Sequence, residues 1–263
     1  MDYEMNGNVA LVTASSSGLG KASAKALARE GANVVINGRS EDRLAEAEED
    51  VESVATGSVL AVQGDLTNPD DIDHLVERTV EEFGGIDHLV TNAGGPSSGA
   101  FMEMDDDDWY DAFDLLVMSV VRLAREAAPY LREDGGGTIV TITSRSVKEA
   151  IPSLVLSNAV RMGVIGLEKT LSKELAPEVR SNAVLPAPHE TARQQELIQA
   201  AVDRGEYESY EDGLETKGDI NPLGRIGDPM ELGDLVAYLS SEQSSFLNGV
   251  AIPVDGGQGA SNL

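Results

Sequence analysis

Apolar and polar positions fall into blocks along the chain, and the blocks alternate between two periods. Seven short aliphatic or β-branched runs read as strands: VALVTA at 9–14, NVVIN at 33–37, SVLAVQGD at 58–65, IDHLVTNAG at 86–94, GTIVTITS at 137–144, RSNAVLP at 180–186 and VAIPVDGG at 250–257. Their near-continuous apolar character is what strands covered on both faces require. Between them lie segments with helical spacing at 21–30, 40–55, 107–131 and 154–175. Ser40 is placed to cap the second of these, and Asn68-Pro69 and Asp228-Pro229 open two more with Pro in the first turn. Ala176-Pro177 closes the helix at 154–175.

This alternation predicts right-handed crossovers and an α/β fold. It is a doubly wound parallel sheet of about seven strands, with helices on both faces, and residues 1–263 form one domain. Residues 189–225 break the rhythm with polar, acidic, tyrosine-containing sequence. They are expected to lie over the C-terminal edge of the sheet, where such folds bind ligands, as a substrate lid.

Composition narrows the function classes. Hydrophobic residues make up 41% and aromatics only 4%, so the core is aliphatic. Forty-six acidic residues face 19 basic ones, a formal net charge of −27. That field repels phosphate backbones and anionic lipids, which argues against nucleic-acid and membrane partners. The acids are spread along the whole chain, as in folded proteins of salt-accumulating organisms, whose charged shells are screened by salt. With no cysteine, disulfides and thiolate chemistry are excluded. The N-terminus lacks the basic and apolar regions of a secretory signal and no apolar run of membrane-spanning length is present, so a cytoplasmic protein is expected.

Candidate chemistry begins at TASSSGLG, residues 13–20, between the first strand and the first helix. Gly18 and Gly20 permit a tight turn and close backbone approach, and the helix N-terminus then offers free N–H groups to a pyrophosphate. The chain resembles the short-chain dehydrogenases/reductases of roughly 250 residues, over nearly its whole length. The family's TGxxxGxG pattern is present, with Ala14 at its first glycine. Asp65-Leu66, Asn92-Ala93-Gly94, Pro186-Ala187 with Thr191, and Val254-Asp255-Gly256-Gly257 match further family elements in order, with Ala187 again at a family glycine.

The resemblance implies a Rossmann-type domain and a nicotinamide cofactor. It assigns Thr13, Ser15, Ser17, Gly18, Leu19, Gly20, Asp65, Leu66, Asn92, Ala93, Gly94, Pro186, Ala187 and Thr191 to cofactor binding. At the end of the second strand, NAD-preferring members carry an Asp; here Gly38 is followed by Arg39. An arginine can pair with a 2′-phosphate that a carboxylate would repel, so NADP is expected over NAD. Family members also build homodimers and homotetramers through their long helices and last strand.

The family's catalytic Asn, Ser, Tyr and Lys fall on Leu116, Ser144, Ser157 and Arg161. A serine hydroxyl is a far weaker acid than a lysine-tuned phenol, though it still donates a hydrogen bond. Arg161 stays protonated; it can hold ribose hydroxyls or developing negative charge, but it shuttles protons poorly. Two readings remain open. One is an NADP-dependent oxidoreductase of a small carbonyl or conjugated enone. The other is a nucleotide-binding sensor or scaffold without turnover.

Substitute acids are His189, and Tyr207 and Tyr210 in the expected lid; each has an alternative packing role. Arg145 and Lys148 either face the substrate or are surface charges. MDDDDW at 104–109 reads as carboxylates complementing a helix dipole, His74 as solvated, and His88 as a strand residue without a ligand set, so no metal is expected.

Overall fold

A computed structural model describes residues 3–133 and 135–261. Its centre is a seven-stranded, wholly parallel sheet of order β3-β2-β1-β4-β5-β6-β7. The strands are β1 (Val9–Val12), β2 (Asn33–Gly38), β3 (Val59–Gln63), β4 (His88–Thr91), β5 (Gly137–Ile142), β6 (Val179–Pro186) and β7 (Ala251–Val254). Each falls within, or one residue beyond, the run predicted for it. Within β1, Ala10 and Val12 face one layer and Leu11 the other.

The first layer is α1 (Gly18–Arg29), α2 (Glu41–Glu52) and α9 (Pro229–Ser240), packed through Leu27, Leu44, Leu232 and Val236. The second holds α3 (Pro69–Phe83), α5 (Ser119–Leu131) and α6 (Val155–Glu174), through Leu75, Leu123, Leu131 and Leu171. The caps expected at Ser40 and Asn68 form, each side chain accepting a backbone N–H. Among the described residues, no helix is long and apolar enough to cross a membrane.

The helix predicted at 107–131 is not continuous. It comprises α4 (Asp106–Phe113), a π-helical turn at Asp114–Met118, and α5. A π turn inserts one residue into the helical period and so rotates the side chains around it. Leu115 consequently lines the main cavity, while Leu116 packs with Val160 and Val164 of α6. The acidic run before Trp109 is a helix start, as expected: Asp105 and Asp108 form a reciprocal capping box.

The polar segment after β6 folds into two helices, α7 (Ala192–Asp203) and α8 (Tyr210–Asp219). Thr191 caps the first and Ser209 the second. Arg193 of α7 reaches across Gly95 to donate to the Pro96 carbonyl at 3.2 Å, tying α7 to the loop that follows β4.

Candidate active site

The strand order reverses between β1 and β4, and the crevice there is held open by specific bonds. Thr13 Oγ1 donates to the Asn92 carbonyl at 2.8 Å and accepts from the Asn92 N–H at 2.9 Å. Asn92 Nδ2 donates to the Ala14 carbonyl at 3.1 Å. Gly20 lies under this knot: a Cβ there would sit 2.5 Å from the Ala14 oxygen and 2.8 Å from Asn92 Nδ2. Only glycine lets α1 start so close to both strands. Ala14 itself lies in the left-handed region, at φ 44°. The other family glycine replaced by alanine, Ala187, shows no positive φ.

Above the knot lies a cavity of ≈ 400 Å³. Of the residues assigned to cofactor binding, Ser17, Gly18, Leu19, Arg39, Asp65, Leu66, Asn92, Ala93, Gly94, Arg161 and Thr191 line it. Thr13 and Ser15 do not. Their hydroxyls turn inward, that of Ser15 donating to the Val12 carbonyl and accepting from the Asn37 N–H. Pro186 ends β6, and Ala187 extends its pairing to β7 through a bond to the Val254 carbonyl at 3.0 Å. The hydroxyl of Ser17, the N-cap of α1, makes no capping bond, so the first-turn N–H groups stay available at the cavity.

Two cavity arginines escaped the sequence reading. Arg193 is the latch on α7. Arg43 stands in the first turn of α2 and forms no ion pair among the described residues. A cation there opposes the helix dipole, and that misplacement is the signal that would have found it. Arg39 is three-quarters exposed, with Nη1 3.8 Å from Asp65. Gly38 needs to be small, since a Cβ would meet Ser16 at 2.9 Å.

Arg161 and Ser157 sit one turn apart on the sheet-facing side of α6 and are both over nine-tenths buried. Arg161 forms part of the cavity wall, and its Nε has no hydrogen-bond partner. Burial lowers its pKa to about 10. Ser157 is joined to a residue not singled out in the sequence: its Oγ lies 3.0 Å from that of Ser146. The Ser146 N–H in turn donates to Ser144 Oγ at 3.1 Å. Ser144 and Ser157 are thus both tied to Ser146, the first through its backbone N–H and the second through its hydroxyl; none of the three borders the cavity itself, whose wall at this point is Ile142 and Thr143.

The substitute acids lie elsewhere. His189 is buried against Gly227, bonded through Nδ1 to the Ala187 carbonyl at 2.7 Å, and lines a separate cavity with Arg225 and Glu231. The Tyr207 ring packs on Gly213, and Tyr210 borders an outer groove along α7. Neither borders the main cavity. Lys148 is exposed on the far side of the turn after Ser144. His74 is exposed; His88 is buried and neutral, between Asn8 and Thr138. Among the described residues, no three His, Asp or Glu side chains converge on a common point that would suit a metal.

A family model described as enoyl-(acyl carrier protein) reductase matches residues 13–258. The chain is 32% identical over 254 residues to 3-oxoacyl-(acyl-carrier-protein) reductase of Thermotoga maritima, covering 96% of this chain and 98% of that protein. It is also 32% identical over 255 residues to dehydrogenase/reductase SDR family member 4 of Caenorhabditis elegans, covering 95% of each. Among solved structures, L-sorbose reductase from Gluconobacter frateurii, complexed with NADPH and L-sorbose, superposes with a TM-score of 0.93 at 34% identity, covering 99% of this chain and 100% of that one. With a family model spanning most of its length and relatives of this identity aligned almost end to end, the chain belongs to the short-chain dehydrogenase/reductase family of oxidoreductases.

Proposed function

We infer that the protein is an NADP-dependent reductase of a small carbonyl or conjugated enone compound. One observation carries the reading: the crevice at the strand reversal is lined by Arg39 and Arg43, with no acid at the end of β2, and also by Arg161, whose buried Nε has no partner. The residues fit a dinucleotide. The open N-terminus of α1 suits the pyrophosphate, Arg39 and Arg43 suit a 2′-phosphate, and Asp65-Leu66 suits the adenine. Arg161 suits ribose hydroxyls, and Thr191 suits the nicotinamide carboxamide. The NADPH and substrate in the L-sorbose reductase structure support the same reading.

When bound, NADPH supplies a hydride; the chain's residues must position the substrate and hold the negative charge that develops on its oxygen. Ser144 and Ser157 do so as hydrogen-bond donors, with Ser146 fixing Ser157. If Ser146 donates to Ser157, the Ser157 proton is left for the substrate. The Arg161 charge, in a buried setting, supplies the electrostatic part. No tuned phenol is present, so protonation falls to solvent. Reduction of a conjugated enone, which passes through an enolate protonated at carbon, suits this site better than ketone reduction. Helices α7 and α8, tied to the loop after β4 by Arg193, act as the substrate lid over residues 189–225. The assembly is a homodimer or homotetramer working in the cytoplasm.

The test is turnover. The purified protein, in molar KCl, is expected to bind NADPH in preference to NADH and to oxidise NADPH faster with an enone than with the matching saturated ketone. Ser144→Ala is expected to lower kcat by roughly 100-fold, the scale of one lost donor to an oxyanion. Tight NADPH binding with no oxidation in the presence of any carbonyl or enone would establish instead the binding protein without turnover.

A further inference from the structure

The main cavity inverts the charge of the molecule. Basic residues are outnumbered 19 to 46 along the chain. Yet among the described residues four arginines border the cavity, Arg39, Arg43, Arg161 and Arg193, against a single carboxylate, Asp65. Three of the four have a place on the dinucleotide: Arg39 and Arg43 at the 2′-phosphate, and Arg161 at the ribose. Arg193 has none. It stands in the first turn of α7, where a cation opposes the helix dipole, as Arg43 does in α2.

Contacts with two glycines place it. Thr191, which caps α7, lies over the phosphate turn: a Cβ on Gly18 would meet its Cγ2 at 3.4 Å. The start of α7 thus packs against the start of α1. Two residues on, Arg193 lies over Gly95, where a Cβ would meet its Nε at 3.2 Å. The partners that hold Arg193 are weak ones. Nη2 donates to the neutral Pro96 carbonyl and Nη1 to Glu196 of the same helix, both at 3.2 Å. The pair with Glu196 is open to solvent, its side chains being 44% and 67% exposed, and so contributes little. Among the described residues these bonds use two of the five N–H groups of the guanidinium and leave the rest for a further acceptor.

We propose that Arg193 binds the cofactor's pyrophosphate from the α7 side, opposite the open N-terminus of α1. The proposal rests on the nicotinamide-cofactor reading above and adds a binding residue to that same site. A phosphate oxygen carries charge and the Pro96 carbonyl does not, so the pyrophosphate is the stronger acceptor. The hold on α7 then passes from the loop after β4 to the dinucleotide itself. Loss of Arg193 is felt by any ligand that carries a pyrophosphate, with or without a 2′-phosphate. That separates it from Arg43, whose loss is felt only where the 2′-phosphate is present.

The experiment measures calorimetric Kd values in molar KCl for NADPH, NADH and adenosine 2′-monophosphate, which keeps the 2′-phosphate and lacks the pyrophosphate. Arg193→Gln is expected to weaken NADPH and NADH equally, by roughly 10- to 100-fold, the scale of one charge-assisted hydrogen bond. It is expected to leave adenosine 2′-monophosphate unchanged. Arg193→Lys, which keeps the charge and loses the planar fork, is expected to recover part of the loss. Amide hydrogen exchange reads the lid itself. In the wild type NADPH is expected to slow exchange across α7 and adenosine 2′-monophosphate is not, and Arg193→Gln is expected to abolish the NADPH effect. Unchanged dinucleotide affinity in Arg193→Gln, or an equal loss for adenosine 2′-monophosphate, would overturn the assignment of Arg193 while leaving the reductase reading standing. Failure of the wild type to bind either dinucleotide would overturn both.

Discussion

At the scale of single residues, the most consequential side chain outside the cavity is Glu168. It lies on the same face of α6 as Ser157 and Arg161, two turns further along, and is 3% exposed. Thr141 and Ser181 donate to its two oxygens, and Thr91 donates to Thr141 at 2.7 Å. Burial raises its pKa to about 7 against these two hydrogen bonds, which favour the ionised form. In the unfolded chain the group ionises near the ordinary 4.5. Its cost to folding is therefore absent below that pH, grows as the pH rises from there toward 7, and is fully present above. A shift of this size corresponds to about 3 kcal/mol. Glu168→Gln is thus expected to leave stability nearly unchanged at about pH 4 and to raise it by up to ~3 kcal/mol at about pH 8. Denaturant unfolding of both proteins at the two pH values checks this; an equal effect at both would show that the fold leaves the carboxyl's pKa at its ordinary value. The burial of Glu168 was not legible in the sequence, where GLEKTL reads as an exposed acid beside a lysine. Its partners come from β5 and β6, 27 and 13 residues away along the chain.

At the scale of elements, the strands were legible because a parallel sheet buries both faces and leaves uninterrupted aliphatic runs. The helix starts were legible because capping is local chemistry: Ser40, Asn68 and Asp228 each bond within their own first turn. The π turn was not, because the inserted residue falls in DLLVM, where a leucine stands on either side of the shift and the apolar pattern hides it. Helices α7 and α8 were not resolved as helices because they bury few side chains, chiefly Ile198 and Ala201 with Gly213, so their apolar period is faint. In the site, contiguous loops were legible, while Ser146, Arg43 and Arg193 gain their meaning from partners or cavities assembled by the fold. Arg43 gives this a test. An arginine in the first turn of α2, beside Glu41 and Asp42, does the helix dipole no service and is expected to be kept for a phosphate. Arg43→Ala is expected to weaken NADPH binding roughly 10- to 100-fold, one charge-assisted contact, with NADH binding unchanged. Calorimetric titration with both cofactors checks it, and equal losses for the two would remove Arg43 from phosphate recognition.

At the scale of the whole molecule, the governing quantity is the net charge of −27. Many of the basic residues are already committed, for example Lys21 to Asp50, Arg29 to Asp234 and Arg225 to Glu231. Most of the 46 acids therefore face solvent without a cation. At ~0.1 M salt the screening length is about 10 Å, comparable to the spacing of such carboxylates; near 1 M it falls to ~3 Å. Folding gathers these charges and so is opposed by their repulsion, which salt removes. Association is opposed in the same way, and the exposed Phe113 of α4 and Met162 of α6 offer apolar surface for it. Melting temperature and oligomer mass are therefore expected to rise together with KCl. Thermal melts and light scattering across the salt range check this, with sucrose at matched osmolality as the control for general exclusion effects. A melting temperature that rises equally in sucrose would assign the stabilisation to burial rather than to screening. One that stays flat in both would mean that the surface carboxylates are spaced widely enough not to act on one another.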